Sequence, residues 1–162
     1  MRRRDFIKSI VGAATAWPLA ARAEQGERMR RIGVLSSGGA VDDSETKTFL
    51  AAFRQGLEQL GWTEGRNVQI DARFGQGDAD RARKYAAELV ALAPDVIFST
   101  GGAATELLTK MTRTVPIVFA VVPDPVGSGF VDSLSQPGGN ATGFLQFEYS
   151  LSAKCGKFAR LD

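Results

Sequence analysis

The sequence predicts a doubly wound α/β fold built on a parallel sheet, and three observations carry the prediction. Strand-like and helix-like patterns alternate along the chain from Arg30 onward. Two runs, Val96-Ile97-Phe98 and Ile117-Val118-Phe119-Ala120-Val121-Val122, are continuously apolar, as strands covered on both faces are. Short loops rich in glycine and hydroxyl groups follow the strands, and alternation at this spacing implies right-handed crossovers between parallel strands. A length of 162 residues, 44% hydrophobic and 23% charged, suits one soluble domain with a sizeable core.

Arg30-Arg31-Ile32-Gly33-Val34-Leu35 reads as a short buried strand that runs into Ser36-Ser37-Gly38-Gly39-Ala40. Asp42 with Glu45 three residues on has the form of a capping box, and Phe49, Phe53, Leu57 and Leu60 recur as the inward face of a first helix. Gly61 stands where a helix end wants positive φ. Val68, Ile70, Ala72 and Phe74 alternate strictly with Gln69, Asp71 and Arg73, which predicts an edge strand. Asp80 opens a second helix through Ala82, Tyr85, Ala86, Leu89 and Ala93, closed by Pro94-Asp95. Residues 103–112 form a third helix with Leu107, Leu108 and Met111 inward. Beyond Pro123-Asp124-Pro125 a short helix is expected over 129–134. The loop Gln136-Pro137-Gly138-Gly139-Asn140 then leads to a fifth strand at Thr142-Gly143-Phe144-Leu145. One α/β lobe over 30–147 is the expected domain.

The first 23 residues read as an address. Arg3-Arg4-Asp5-Phe6-Ile7-Lys8 has the twin-arginine pattern, a weakly apolar run over 10–19 follows, and Ala21-Arg22-Ala23 offers the small residues a signal peptidase requires. Cleavage is expected after Ala23, with the mature protein in the periplasm. Ten residues cannot span a bilayer. No cysteine follows Ala23, so a lipid anchor is not indicated. Five basic residues sit in this segment against the single acid Asp5, so the formal net charge of +2 becomes slightly acidic without it. No basic stripe remains for nucleic acid.

Composition also narrows the chemistry. Histidine is absent, which removes imidazole bases, Ser-His-Asp triads and His-ligated metals. The single cysteine, Cys155, has no neighbouring base to activate it and reads as a bystander thiol. Gly33, Gly38 and Gly39 do not have dinucleotide-fold spacing, and Lys47 falls inside a helix instead of a phosphate loop. No cofactor or metal is expected. Trp62 should pack beside the first helix and not on a ligand.

In an open parallel sheet, ligands sit at the carboxyl ends of the strands, where the amides of following helices point outward. Three loops share that edge. Ser36-Ser37 after the first strand and Thr100-Gly101-Gly102-Ala103-Ala104 after the third offer hydroxyls and closely approached N–H groups to an anionic head. Asp124 after the fourth offers a carboxylate to a cation such as an ammonium. Each also has a plain structural reading, as a tight turn, a helix cap and a turn former respectively.

The order Arg31-Ile32-Gly33-Val34-Leu35, Phe53-Arg54-Gln55-Gly56-Leu57, Leu60-Gly61-Trp62, Gly65-Arg66-Asn67-Val68, Pro94-Asp95-Val96-Ile97, Pro116-Ile117-Val118-Phe119, Asp124-Pro125-Val126-Gly127 and Gln136-Pro137-Gly138-Gly139-Asn140-Ala141-Thr142-Gly143 resembles the ABC transporter substrate-binding proteins related to tryptophan-binding TrpX. The last motif is the most specific. The resemblance implies the first lobe of a type I periplasmic binding protein, closing with a second lobe on a small solute, often an amino acid, with the three loops facing the interlobe cleft. It also implies an ABC permease in the inner membrane as partner, beside the twin-arginine translocon and signal peptidase. A member would continue past Leu151 into a second lobe. Here Lys154-Cys155-Gly156-Lys157-Phe158 loses the helical pattern, so 148–162 is expected to be a truncated crossover segment in a truncated or fragmentary copy. The competing readings are an α/β enzyme acting on a small metabolite and the effector-sensing domain of a regulator. The enzyme lacks an evident acid, base or nucleophile beyond carboxylates, and the regulator needs a DNA-binding headpiece where the signal stands.

Overall fold

Residues 28–145 are described by the computed structural model. The expected export segment with its cleavage site, Cys155 and the expected crossover segment lie outside them. The elements are β1 (Arg30–Ser36), α1 (Ser44–Gln59), β2 (Val68–Phe74), α2 (Ala79–Ala91), β3 (Val96–Thr100), α3 (Gly102–Met111), β4 (Ile117–Val122) and β5 (Ala141–Leu145). All neighbouring strands pair in parallel, in the order β2-β1-β3-β4-β5. β2 is an edge strand as expected. The chain steps from β1 out to β2 and then back to β3 on the other side, so the topological switch lies between β1 and β3.

One face of the sheet is closed by α2 and α3. Leu35, Ile97, Ile117 and Phe119 pack there against Ala86 and Leu89 of α2 and Ala104 and Leu108 of α3, all essentially inaccessible. Burial of each large side chain contributes about 1.5–3 kcal/mol. Gly33 permits the approach: a Cβ there would lie 3.2 Å from Ile97 Cγ1 and 3.4 Å from Leu89 Cδ2.

The opposite face carries α1, whose Phe49 and Phe53 stack with Phe98 of β3 at ring separations of 6.1 and 5.3 Å. Among the described residues α1 is alone on that face. The expectation of cover on both sides therefore holds for β3, whose Phe98 lies under α1, but on one side only for β4. Val118 and Ala120 are half-buried and Phe144 is 72% exposed. α1 also differs in detail. It starts at Ser44 with Asp43 as the N-cap residue, and no side chain closes the cap, so Asp42 and Glu45 form no capping box. Thr46 and Leu50 are its buried residues, Phe49, Phe53 and Leu57 are half-buried, and Leu60 is 77% exposed. At about 100° per residue Leu60 lies roughly 80° off the line of Leu50, and it stands at the C-cap, where the helix has ended. Gly61 behaves as expected, with φ +87, its N–H donating to Glu58 O and that of Trp62 to Leu57 O.

α2 begins at Ala79, one residue before Asp80, with Asp78 as its N-cap. The Asp78 carboxylate accepts from the N–H groups of Asp80 and Arg81 at 2.9 and 3.0 Å, and the bond from Arg81 above all holds its pKa below the usual value. Asp95 ties β3 to β1. It accepts from Arg31 N–H and the Arg30 guanidinium, both at 2.8 Å, while its own N–H donates to Arg31 O. The Arg31 amide, then the Arg30 side chain, hold this carboxyl ionised to lower pH than usual. Pro94-Asp95 is thus a helix stop followed by a register clamp.

No helix forms over 129–134. Gly129 has φ +71, the N–H groups of Phe130 and Val131 turn back to Pro125 O, and Asp132 N–H donates to Pro137 O, so turns replace the helical ladder. The glycine-asparagine motif that follows is structural. Asn140 donates through its side-chain amide to Val115 O at 2.7 Å and Thr112 O at 3.2 Å, fastening the α3–β4 loop to the start of β5. No helix among the described residues is long and apolar enough to cross a membrane.

Candidate binding site

The carboxyl ends of β1 and β3 lie side by side, Ser36 opposite Thr100, and their loops are built around glycine. Gly101, at φ +87, turns the chain out of β3 into α3, and its N–H is held by Ala120 O at 3.0 Å. Its carbonyl accepts from Thr105 Oγ1 at 2.9 Å, and that hydroxyl meets Ser99 Oγ at 2.8 Å in the core. Ser99 and Thr105 are therefore spent on fixing the loop. Neither Ser99 nor Thr100 caps α3: its N-cap residue is Gly101, and no side chain bonds the first-turn amides. A Cβ on Gly101 would stand 3.3 Å from Ser37 Oγ, so the two loops touch.

Beside them opens a concavity of about 340 Å³ on the α1 side of the edge. Ser36, Thr100 and Gly101 form its polar floor. Asp43 and Glu45, at the start of α1, add two carboxylates, and Phe49, Phe74 and Val121 form an apolar wall. Gly101 brings the uncapped start of α3 to the rim of the concavity while Gly102, Ala103 and Ala104 lie outside its lining, so the Thr100 hydroxyl is its donor for an anion and Asp43 and Glu45 are its groups for a cation. Val121 has φ +60, strained for a β-branched residue at about 1–3 kcal/mol, and it lies where the β4–β5 register shifts.

The other predicted residues are distributed around this centre. Ser37 and Ala103 line a neighbouring cavity of about 550 Å³ between the starts of α2 and α3, with Asp78, Arg83 and Lys110. Gly102 and Ala104 belong to neither lining, and Ala104 is fully buried in α3. Asp124 lies on the same sheet edge, where its carboxylate accepts from Gly127 N–H at 2.7 Å within a turn. Glu45, Phe49 and Phe74 were legible in the sequence only as cap and core, and Asp43 carried no reading of its own. Phe74 alone carried a usable signal, since as the last residue of its strand it had to reach the loop edge. Trp62 is at the opposite edge, beside Leu57, Ile32 and Val96 in a cavity of about 370 Å³, away from the glycine loops. No group of three or more acids or cysteines among the described residues could hold a metal.

The family model of the ABC transporter substrate binding proteins matches residues 40–150. The chain belongs to this family. A Clostridioides difficile tyrosine-binding protein is 33% identical over 91 residues, 56% of this chain and 26% of that protein. Among solved structures, an open, ligand-free substrate binding protein with adhesive properties from Clostridium difficile superimposes with TM-score 0.66 at 27% identity, covering 74% of this chain and 40% of the other. An ABC domain in complex with L-Trp from Streptococcus pneumonia gives TM-score 0.65 at 27% identity, covering 72% and 38%. The match covers about a quarter of the curated relative, and the chain spans about two fifths of the solved structures, which fits a single lobe. Substrate-binding proteins of this family are binding proteins, not enzymes, and the five-stranded parallel α/β lobe seen here is their fold.

Proposed function

We propose that this chain supplies the first lobe of a periplasmic receptor that binds a free amino acid, preferably aromatic, and delivers it to an ABC permease in the inner membrane. The observation that carries the reading is the pairing, in one concavity, of Thr100 and Gly101, at the approach to α3, with the carboxylates of Asp43 and Glu45. A zwitterionic amino acid presents the complementary pair. Its carboxylate would take the Thr100 hydroxyl beside the start of α3, and its ammonium would face the acids of α1. The second lobe of a longer protein would close over it. The names of the tyrosine-binding and L-Trp-bound relatives support this solute class. The role is binding without catalysis, as in those relatives.

Charge-assisted hydrogen bonds contribute about 1.5–3 kcal/mol each. In a two-lobed protein carrying this lobe, Thr100→Val is therefore expected to weaken L-tryptophan or L-tyrosine binding by about tenfold or more in calorimetric titration. Unchanged affinity would leave Thr100 without a ligand contact. The proposed route to the periplasm is twin-arginine export of the folded precursor. Changing Arg3 and Arg4 together to lysine should retain precursor in the cytoplasm. Undiminished mature protein in the periplasm would refute that route.

A further inference from the structure

Resting on the amino-acid reading above, we infer that Phe49 is the residue that reads the ligand side chain, as a rigid aromatic platform selecting planar rings over aliphatic chains. Phe49 is the member of a three-ring cluster that reaches the concavity. It stacks on Phe53 at 6.2 Å and on Phe98 at 6.1 Å, each with an interplanar angle of 18°, and Phe53 stacks on Phe98 at 5.3 Å. Two rings from a helix and a strand therefore restrain Phe49 from swinging away. A platform held in this way loses little freedom when a ligand ring lies on it.

The surroundings suit a flat apolar group. Phe74, 4% exposed at the end of β2, and Val121, fixed at the irregular end of β4, bound the same wall, while the polar floor of Ser36, Thr100 and Gly101 lies at the β1 and β3 ends. A ligand whose charged head sits on that floor can extend its side chain toward α1. A volume of about 340 Å³ is at the small end of the range for ligand sites, roughly 300–1,000 Å³, and suits one amino acid. Phe49 was legible in the sequence only as a core position, yet it is half-buried because it has this second surface.

The test is NMR titration of the 162-residue chain with L-tryptophan, L-phenylalanine and L-leucine, reading apparent affinities from amide shifts. The unaltered chain should prefer the aromatic ligands over leucine by about fivefold, the scale of one ring-on-ring contact. Phe49→Leu should abolish that preference, lowering aromatic affinity while leaving leucine within about twofold. Phe49→Tyr should retain it. An amide spectrum that keeps its native dispersion shows that each variant is folded, and Phe74→Leu, altering the wall elsewhere, provides a second test by narrowing the preference less. An unchanged aromatic preference in Phe49→Leu overturns the assignment and leaves the amino-acid site standing. A chain that responds to no amino acid overturns both.

Discussion

Alanine in place of Gly143 is expected to cost at least about 3 kcal/mol of folding stability, a large effect for one methyl group. Gly143 pairs with Phe119 across β4 and β5, and a Cβ there would overlap the Phe119 carbonyl oxygen and lie 2.7 Å from two atoms of its ring. The carbonyl belongs to a strand, and the ring is buried among Ile117, Leu108 and Val122, so neither can yield cheaply. Urea unfolding of the 162-residue chain measures the cost. Gly56→Ala serves as the reference, because a Cβ there meets nothing within 4 Å inside α1 and should be neutral or stabilising by up to about 1 kcal/mol. Equal midpoints for the two variants would show that β5 does not pack on β4 as described.

The second large effect concerns affinity. The 162-residue chain alone should bind L-tryptophan or L-tyrosine about a thousandfold more weakly than a two-lobed protein carrying the same lobe. The concavity lies on one sheet edge and is open to solvent, and this chain spans 38% of the structure that holds L-Trp. Sites for small molecules bury roughly 70–90% of the ligand surface. If about half of the contacts reside in the other lobe, roughly 8 kcal/mol of binding falls to roughly 4, or micromolar to millimolar. Calorimetry on the two proteins reads the gap. Micromolar binding by the 162-residue chain would instead make it a complete single-lobe binder.

Much of this architecture was legible because its causes are local. Alternation in Val68–Phe74 specified an edge strand, positive φ at Gly61 ended a helix, and Pro94 stopped another. The parallel order of the strands by itself brings Ser36, Thr100 and Gly101 to one edge. What was not legible depends on packing between distant elements. Whether Val118 and Phe144 are covered is decided by how many helices lie on their face, which no pattern within β4 or β5 records. A capping box at Asp42 failed by one residue because the N-cap is Asp43, which puts Thr46, not Glu45, at the third helical position. Glu45 and Phe49 looked like cap and core since periodicity cannot say that the first turns of α1 border a hollow. Asp124, chosen for its charge, is found bonded to the Gly127 amide, the commoner use of an aspartate between prolines.

The central claim is that the ligand sits on the loops after β1 and β3. Amide chemical-shift mapping of the 162-residue chain, titrated with L-tryptophan to tens of millimolar, tests it most directly. The predicted result is saturable shifts clustered at residues 36–39 and 101–104, with Trp62, Asp95 and Val96 at the far edge unmoved. Shifts centred on the Trp62 cavity, or none at any concentration, would contradict it.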